Sequence, residues 1–286
     1  MRSKLFVPAD SVASLEQVLT TCADAVCLDL EDTVRISRKA EARARLSGLL
    51  ARPNAFGKSI IVRINGCEAG LLADDLDVAV APGTHVINLP KPESPARIRE
   101  IAARVQDLER QRGIASPIGL LINIETPSAL RQAAELALAS PRICGLQIGY
   151  ADLLEPHGID RFSAAALDGI RLAVKLAASE ANVAAYDGVF AFLDMPDAFA
   201  EEARGARRLG FAGKSCFDEA QAALANLIFQ PQEQEVARAR RIVDAAETAF
   251  RDGKGLFVLD GRMVDEPFVQ GARRLLDQAR QAQQRG

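Results

Sequence analysis

Short apolar runs recur along the chain, each followed by a polar loop and then by a stretch with apolar residues at helical spacing. Leu5 to Pro8, Ala25 to Leu30, Ser59 to Ile64, His85 to Leu89, Ile118 to Ile124, Ile143 to Ile148, Val183 to Tyr186 and Ala212 to Cys216 read as strands, most of them buried on both faces. Helices are predicted between them: one capped by Ser11 or Ser14 and running to Leu19, then Arg38 to Leu50, Pro95 to Arg112, Ala164 to Ala178 and Ala198 to Leu209. Eight strands alternating with helices predict an α/β fold, the (β/α)8 TIM barrel. A doubly wound open sheet is the alternative, but no Gly-x-Gly-x-x-Gly follows any strand. Beyond about Gln230, Pro231 and a Gln/Glu-rich turn introduce a helix from Glu233 to Phe250, a short strand from Leu256 to Leu259, a segment from Asp260 to Pro267 and a last helix. The expected organisation is a TIM barrel over residues 1–230 and a C-terminal helical extension with a lid segment over 231–286. The extension is too small for an independent core and is expected to pack on the barrel or on a neighbouring subunit.

The run that ends Ile122-Asn123-Ile124-Glu125 and continues Thr126-Pro127 carries the strongest chemical signal. A carboxylate where a buried strand surfaces is a ligand or catalyst candidate, because barrel active sites are built at the C-terminal strand ends. Glu125 could equally cap the helix that Pro127 begins. Glu31, Asp32, Arg63, Lys91 and Asp152 also fall at or just beyond strand ends. Glu125 and Asp152 are one strand–loop–helix unit apart, so their strands should be neighbours and the two carboxylates could converge on one ion. Hard oxygen ligands without clustered Cys or His point to Mg²⁺. Arg63 offers a planar fork suited to a substrate carboxylate.

Composition narrows the field. A formal net charge of −3 argues against a nucleic-acid partner. No stretch reaches the length of a membrane span, and Met1 to Lys4 runs straight into Leu5-Phe6-Val7 without a signal-like apolar region, so a cytoplasmic protein is expected. The five cysteines, Cys22, Cys27, Cys67, Cys144 and Cys216, are scattered, which indicates neither disulfides nor a zinc site. Cys27 and Cys144 lie inside apolar strands and read as core residues.

Six ordered motifs resemble one family: Arg2-Ser3-x-Leu5-Phe6-Val7-Pro8-Ala9, Asp29-Leu30-Glu31-Asp32-x-Val34, Val62-Arg63-Ile64-Asn65, Leu89-Pro90-Lys91-x-Glu93-Ser94, Ile124-Glu125-Thr126 and Gly261-Arg262-Met263-Val264-Asp265. Together they are similar to the citrate lyase β-subunit family, which includes malyl-CoA and citramalyl-CoA lyases within the phosphoenolpyruvate/pyruvate superfamily. The resemblance implies a Mg²⁺-dependent carbon–carbon lyase that cleaves a carboxylated 3-hydroxyacyl thioester, on CoA or an acyl carrier, to a 2-oxo acid and acetyl-CoA or a related thioester. It implies Glu125 and Asp152 as metal ligands and Arg63 as the holder of the oxo-acid. Glu31 and Asp32 match acids that hydrogen-bond the metal's waters; Lys91 and Ala151 join Arg63 as expected substrate contacts. Asp265 matches an acid that acts on the acetyl group in an adjacent subunit, and the implied assembly is a homotrimer or hexamer.

The chain departs from the family pattern after the eighth strand. Where relatives commonly carry Ile-His-Pro-x-Gln, it reads Cys216-Phe217-Asp218-Glu219-Ala220-Gln221. Asp152 is followed by Leu153-Leu154-Glu155-Pro156-His157-Gly158 instead of a second Asp and Leu-Gly, and Ala129 stands in place of a frequent Gly. Two other functions are therefore retained. One is a class II aldolase acting on free 2-oxo acids, which would need a histidine base from His85 or His157; the other is a non-catalytic metal-binding paralogue.

Overall fold

The computed structural model describes residues 1–11, 18–51, 57–66, 70–251 and 253–283. Ser14, Cys67 and most of the helix expected before Leu19 lie outside them. The chain divides into two compact units, Met1–Phe229 and Gln230–Gly286.

The first unit is a closed barrel of eight parallel strands in sequential order. They are β1 (Ser3–Pro8), β2 (Ala25–Asp29), β3 (Ser59–Arg63), β4 (Val86–Leu89), β5 (Gly119–Ile124), β6 (Ile143–Ile148), β7 (Ala184–Asp187) and β8 (Gly213–Cys216). The β8 strand closes on β1, with Lys4 beside Ser215 and Leu5 beside Cys216. Alternation along each strand sorts its side chains into two layers. Val26, Leu28, Ile60, Val62, Ile87, Leu120, Ile122, Leu146 and Ile148 face the helices and join the main apolar core. The opposite faces fill the lumen with Phe6, Ala25, Cys27 and Ile61.

The helix Pro95–Arg112 illustrates the outer ring. Ser94 accepts the Arg97 N–H as N-cap, Pro95 opens the first turn, Gly113 ends the helix at φ 65°, and Ile98, Ile101, Val105 and Leu108 form its buried stripe. The hydrophobic pattern did not predict the helix Leu71–Ala79, whose apolar stripe of Leu72, Leu76 and Ala79 is interrupted by Asp74, Asp75 and Asp77. Cys144 is a correction: the β5–β6 ladder shifts register between Leu120 and Leu121, and the residue is exposed there rather than in the core. His85 accepts the Ile60 N–H through Nδ1 at 3.1 Å as its strand begins, and His157 is exposed in a short 3₁₀ turn.

The lumen also holds polar groups that the apolar pattern concealed. Lys4, 1% exposed, donates to Gln147 Oε1 and lies 4.5 Å from the Phe6 ring centroid. Burial pushes its pKa down to about 8. Below that pH the folded state carries the whole cost of a buried ammonium. Between about pH 8 and the unfolded value of 10.5 the unfolded chain keeps the proton that the folded chain has lost, so stability rises with pH. Lys4→Met is therefore expected to be more stable than the wild type at pH 7, by an amount on the order of 3 kcal/mol. Gln147 Oε1 would keep the Ser215 hydroxyl at 3.2 Å. Urea unfolding at pH 7 and pH 10 checks this: the gain should shrink at the higher pH, and an equal gain at both contradicts it.

The second unit pairs the helix Glu233–Arg251 with Glu266–Gln283 and carries a two-stranded antiparallel hairpin, β9 (Phe257–Leu259) and β10 (Arg262–Val264). Ala246, Val264 and Val269 form its small apolar cluster, with Ile242, Phe250, Phe257 and Leu259 packed against it.

Candidate active site

The parallel strands deliver charged groups to one mouth of the barrel. Asp29 and Arg63 are direct register partners on β2 and β3, and they lock: Arg63 Nε and Nη2 donate to the two Asp29 oxygens at 2.6 Å each. Asp29 is fully buried and also accepts from the Thr33 hydroxyl at 2.6 Å. Against the burial that would raise it, the Arg63 guanidinium holds the Asp29 carboxyl below its usual range. The expected Arg63 fork is thus turned onto Asp29. Its remaining nitrogen, Nη1, faces Glu31 Oε2 at 2.9 Å and Asp32 Oδ2 at 3.5 Å.

Lys91 ties the other acids together. Its backbone adopts φ 43°, a left-handed conformation rare outside glycine, and its N–H donates to Glu125 Oε1 at 2.7 Å. Its Nζ lies 3.5 Å from Glu31, 3.8 Å from Asp32 and 3.3 Å from Asp152. Although partial burial works the other way, the surrounding carboxylates raise the Lys91 pKa, so the ammonium stays charged. Burial pushes Glu31 up to about 8, aided by the charges of Asp32 and Glu125 and opposed by Arg63 and Lys91. Among the described residues Glu31 Oε2 is buried without an aligned hydrogen bond.

Glu125, 2% exposed, does not cap the helix that follows it. Thr126 does, accepting the Ala129 N–H at 3.1 Å. Burial pushes the Glu125 carboxyl upward, and the Asp152 charge adds to the rise. Its second oxygen accepts from Asn123 Nδ2 at 3.1 Å. Gly149 forms a wall beside it, since a Cβ there would meet Glu125 Oε2 at 2.4 Å. Asp152 and Ala151 sit in the short helix Tyr150–Leu154, Ala151 exposed and the Asp152 side chain 39% exposed.

The barrel unit therefore brings together Glu31, Asp32, Arg63, Lys91, Glu125 and Asp152, with Ala151 beside Asp152. Asp265 belongs to the second unit, where it follows β10. Its carbonyl accepts from Phe268 and Val269 N–H, the backbone role of a helix N-cap, yet its Oδ1 is buried with no hydrogen-bond partner among the described residues. Asp29, Gly149, Asn88 and Asn123 were not singled out from the sequence. Asp29 ends an apolar strand beside two more acids, and that position is the one signal that could have pointed to it.

The donor set decides whether a metal suits this mouth. Five carboxylates, Asp29, Glu31, Asp32, Glu125 and Asp152, face two fixed cations, and Asp29 is spent on Arg63. Among the described residues, no three His, Cys, Asp or Glu side chains are grouped closely enough to cage an ion. A pair of carboxylates in a site of excess negative charge fits a hard cation that keeps most of its waters, which is the Mg²⁺ pattern rather than that of zinc.

The loop after β8 forms a helix cap. Asp218 Oδ1 accepts the Gln221 N–H at 2.7 Å, and Gln221 Oε1 accepts the Phe217 N–H at 3.0 Å.

Residues 2–219 match the HpcH/HpaI aldolase/citrate lyase family. The chain is 34% identical to the citrate lyase subunit beta of Escherichia coli K12 over 286 residues, 97% of this chain and 93% of that protein. It is also 34% identical to a (3S)-malyl-CoA thioesterase of Cereibacter sphaeroides, covering 97% and 94% of the two chains. Among solved structures it resembles CitE of Mycobacterium tuberculosis in complex with magnesium, acetoacetate and coenzyme A, with TM-score 0.76, 29% identity, and coverage of 98% of this chain and 99% of that one.

Proposed function

The chain belongs to the HpcH/HpaI aldolase/citrate lyase family, and from that premise we propose that it is a Mg²⁺-dependent carbon–carbon lyase acting on a carboxylated 3-hydroxyacyl thioester of the citryl, malyl or citramalyl type. The observation that carries this reading is the cluster of Glu31, Asp32 and Asp152 around the Lys91 ammonium, with Lys91's own N–H on Glu125. The CitE structure bound to magnesium, acetoacetate and coenzyme A supports both the metal and the thioester carrier. A structure of the citrate lyase beta subunit from M. tuberculosis, 28% identical, holds oxaloacetate and magnesium, which supports a 2-oxo acid as one product.

Glu125 and Asp152 would hold Mg²⁺, which when bound supplies a Lewis acid that lowers the pKa of the substrate hydroxyl. Glu31 and Asp32 line the same mouth and would offer carboxyl oxygens to water held there. Arg63 Nη1, fixed by Asp29, and the Lys91 ammonium bind the carboxylate of the oxo-acid half, and Ala151 lines the same part of the pocket. The hydroxyl gives its proton to solvent water at the mouth as the carbon–carbon bond breaks, its oxygen becomes the carbonyl oxygen of the 2-oxo acid, and the bonding pair passes to the thioester as an enolate. Asp265, contributed by a neighbouring copy in a trimer or hexamer, returns a proton to that carbon and leaves the acetyl thioester. In the reverse direction the same carboxylate takes the methyl proton.

Purified full-length protein with Mg²⁺, offered citryl-CoA, malyl-CoA, citramalyl-CoA and free 4-hydroxy-2-oxo acids, tests this reading. Equal amounts of 2-oxo acid and acetyl-CoA are expected from one of the thioesters and nothing from the free acids. Free CoA without an oxo acid would make the protein a thioesterase; cleavage of the free acids alone would make it an aldolase.

A further inference from the structure

We propose that Asn123 and Asn88, on the lumen faces of β5 and β4, are positioning residues that fix the Glu125 carboxylate for a divalent cation. The proposal rests on the metal reading given above.

Its direction follows from one backbone group. The Leu121 carbonyl can only accept, and it lies 3.0 Å from Asn88 Nδ2, so the Asn88 amide has its nitrogen on that side. The same NH₂ donates to Asn123 Oδ1 at 2.7 Å. With its oxygen thus engaged, Asn123 must turn its NH₂ to Glu125 Oε2, at 3.1 Å. All three side chains are buried, at 0%, 1% and 2% exposure along the relay. Glu125 is held from three sides: Asn123 on Oε2, the Lys91 N–H on Oε1, and the missing side chain of Gly149 against Oε2. Each oxygen keeps a lone pair for a cation while the rotamer is set.

The relay is a costly way to fill a barrel lumen. Among the described residues Asn88 Oδ1 is buried with no partner, and an unsatisfied buried amide oxygen is a penalty that two apolar side chains of similar size would avoid. Packing alone does not account for the pair; orienting a ligand does. Partners that orient metal ligands typically change affinity by about 10- to 100-fold when removed.

The test is Mn²⁺ titration of the full-length protein, without substrate, following the free-ion electron paramagnetic resonance signal and recording Tm in parallel. Asn123→Leu keeps the volume and removes the donor, and it is expected to raise the Mn²⁺ Kd about 10- to 100-fold. Asn88→Leu should raise it less, because Asn123 remains but is free to turn. The double variant should bind no worse than Asn123→Leu alone, since Asn88 acts only through Asn123. A purely structural pair would lower Tm and leave Kd unmoved. Should Asn123→Leu fail to fold, Asn123→Ala carries the same expectation. Kd values within twofold of the wild type, or additive losses in the double variant, overturn the proposal. Mn²⁺ that fails to bind the wild type overturns the metal reading itself.

Discussion

Glu125→Gln is expected to abolish Mg²⁺ binding and to lower thioester cleavage by about 1000-fold or more, because the several kcal/mol that a Lewis acid contributes to the transition state go with it. The substitution preserves shape and removes charge. It also creates a conflict: Glu125 now accepts from Lys91 N–H on one oxygen and from Asn123 Nδ2 on the other, and an amide can satisfy only one of those donors with its oxygen. Its own NH₂ must face a donor on the other side. Asp152→Asn should be milder in stability, since the Asp152 side chain is 39% exposed, while lowering metal affinity in the same direction. Calorimetric Mg²⁺ titration beside kcat/KM measures both, and a Glu125→Gln protein that turns over within tenfold of the wild type contradicts the assignment.

Asp265→Ala is expected to lower kcat by about 100- to 10,000-fold, the range of a general acid, and to leave the Mn²⁺ Kd within about twofold. The competing account is that Asp265 merely caps the helix Glu266–Gln283. Its backbone does occupy the cap position, but its Oδ1 is buried without a hydrogen bond among the described residues, so capping leaves that part of the carboxyl unexplained. Asp265→Asn separates the two, because asparagine caps about as well as aspartate and cannot supply the proton. An Asn variant with full turnover, or an Ala variant that loses turnover and metal affinity equally, removes Asp265 from the chemistry.

The barrel was legible because its strands are apolar runs of the right length with turn residues between them, a signal that is local in the chain. The charged positions at the mouth were legible for a related reason: a charge that follows directly on a buried strand must surface where the strand ends. What could not be read depends on register. Asp29 and Arg63 are lateral partners across two strands, so nothing near Arg63 in sequence says that two of its nitrogens are already taken. Asn88 and Asn123 hide inside apolar runs, and their link becomes visible only when β4 is set beside β5. Gly149 matters through a contact with a residue on the neighbouring strand. Cys144 is exposed because of a register shift between β5 and β6 that the sequence of neither strand reveals.

The geometry of the mouth also bears on the altered loop after β8. Asp218 is engaged as a cap, so the loop forms an ordered turn. The acids and Arg63 are carried by the ends of β2 and β3 and by the segments that follow β2, β5 and β6.

The most direct test of the whole account is a crystal of the full-length protein soaked with Mn²⁺ and oxaloacetate, with the ion located by anomalous scattering. One peak is expected, shared by a carboxylate oxygen of Glu125 and one of Asp152, each at about 2.1 to 2.2 Å, with the oxo-acid beside Arg63. A peak bound by neither carboxylate, or an oxo-acid seated away from Arg63, would contradict it.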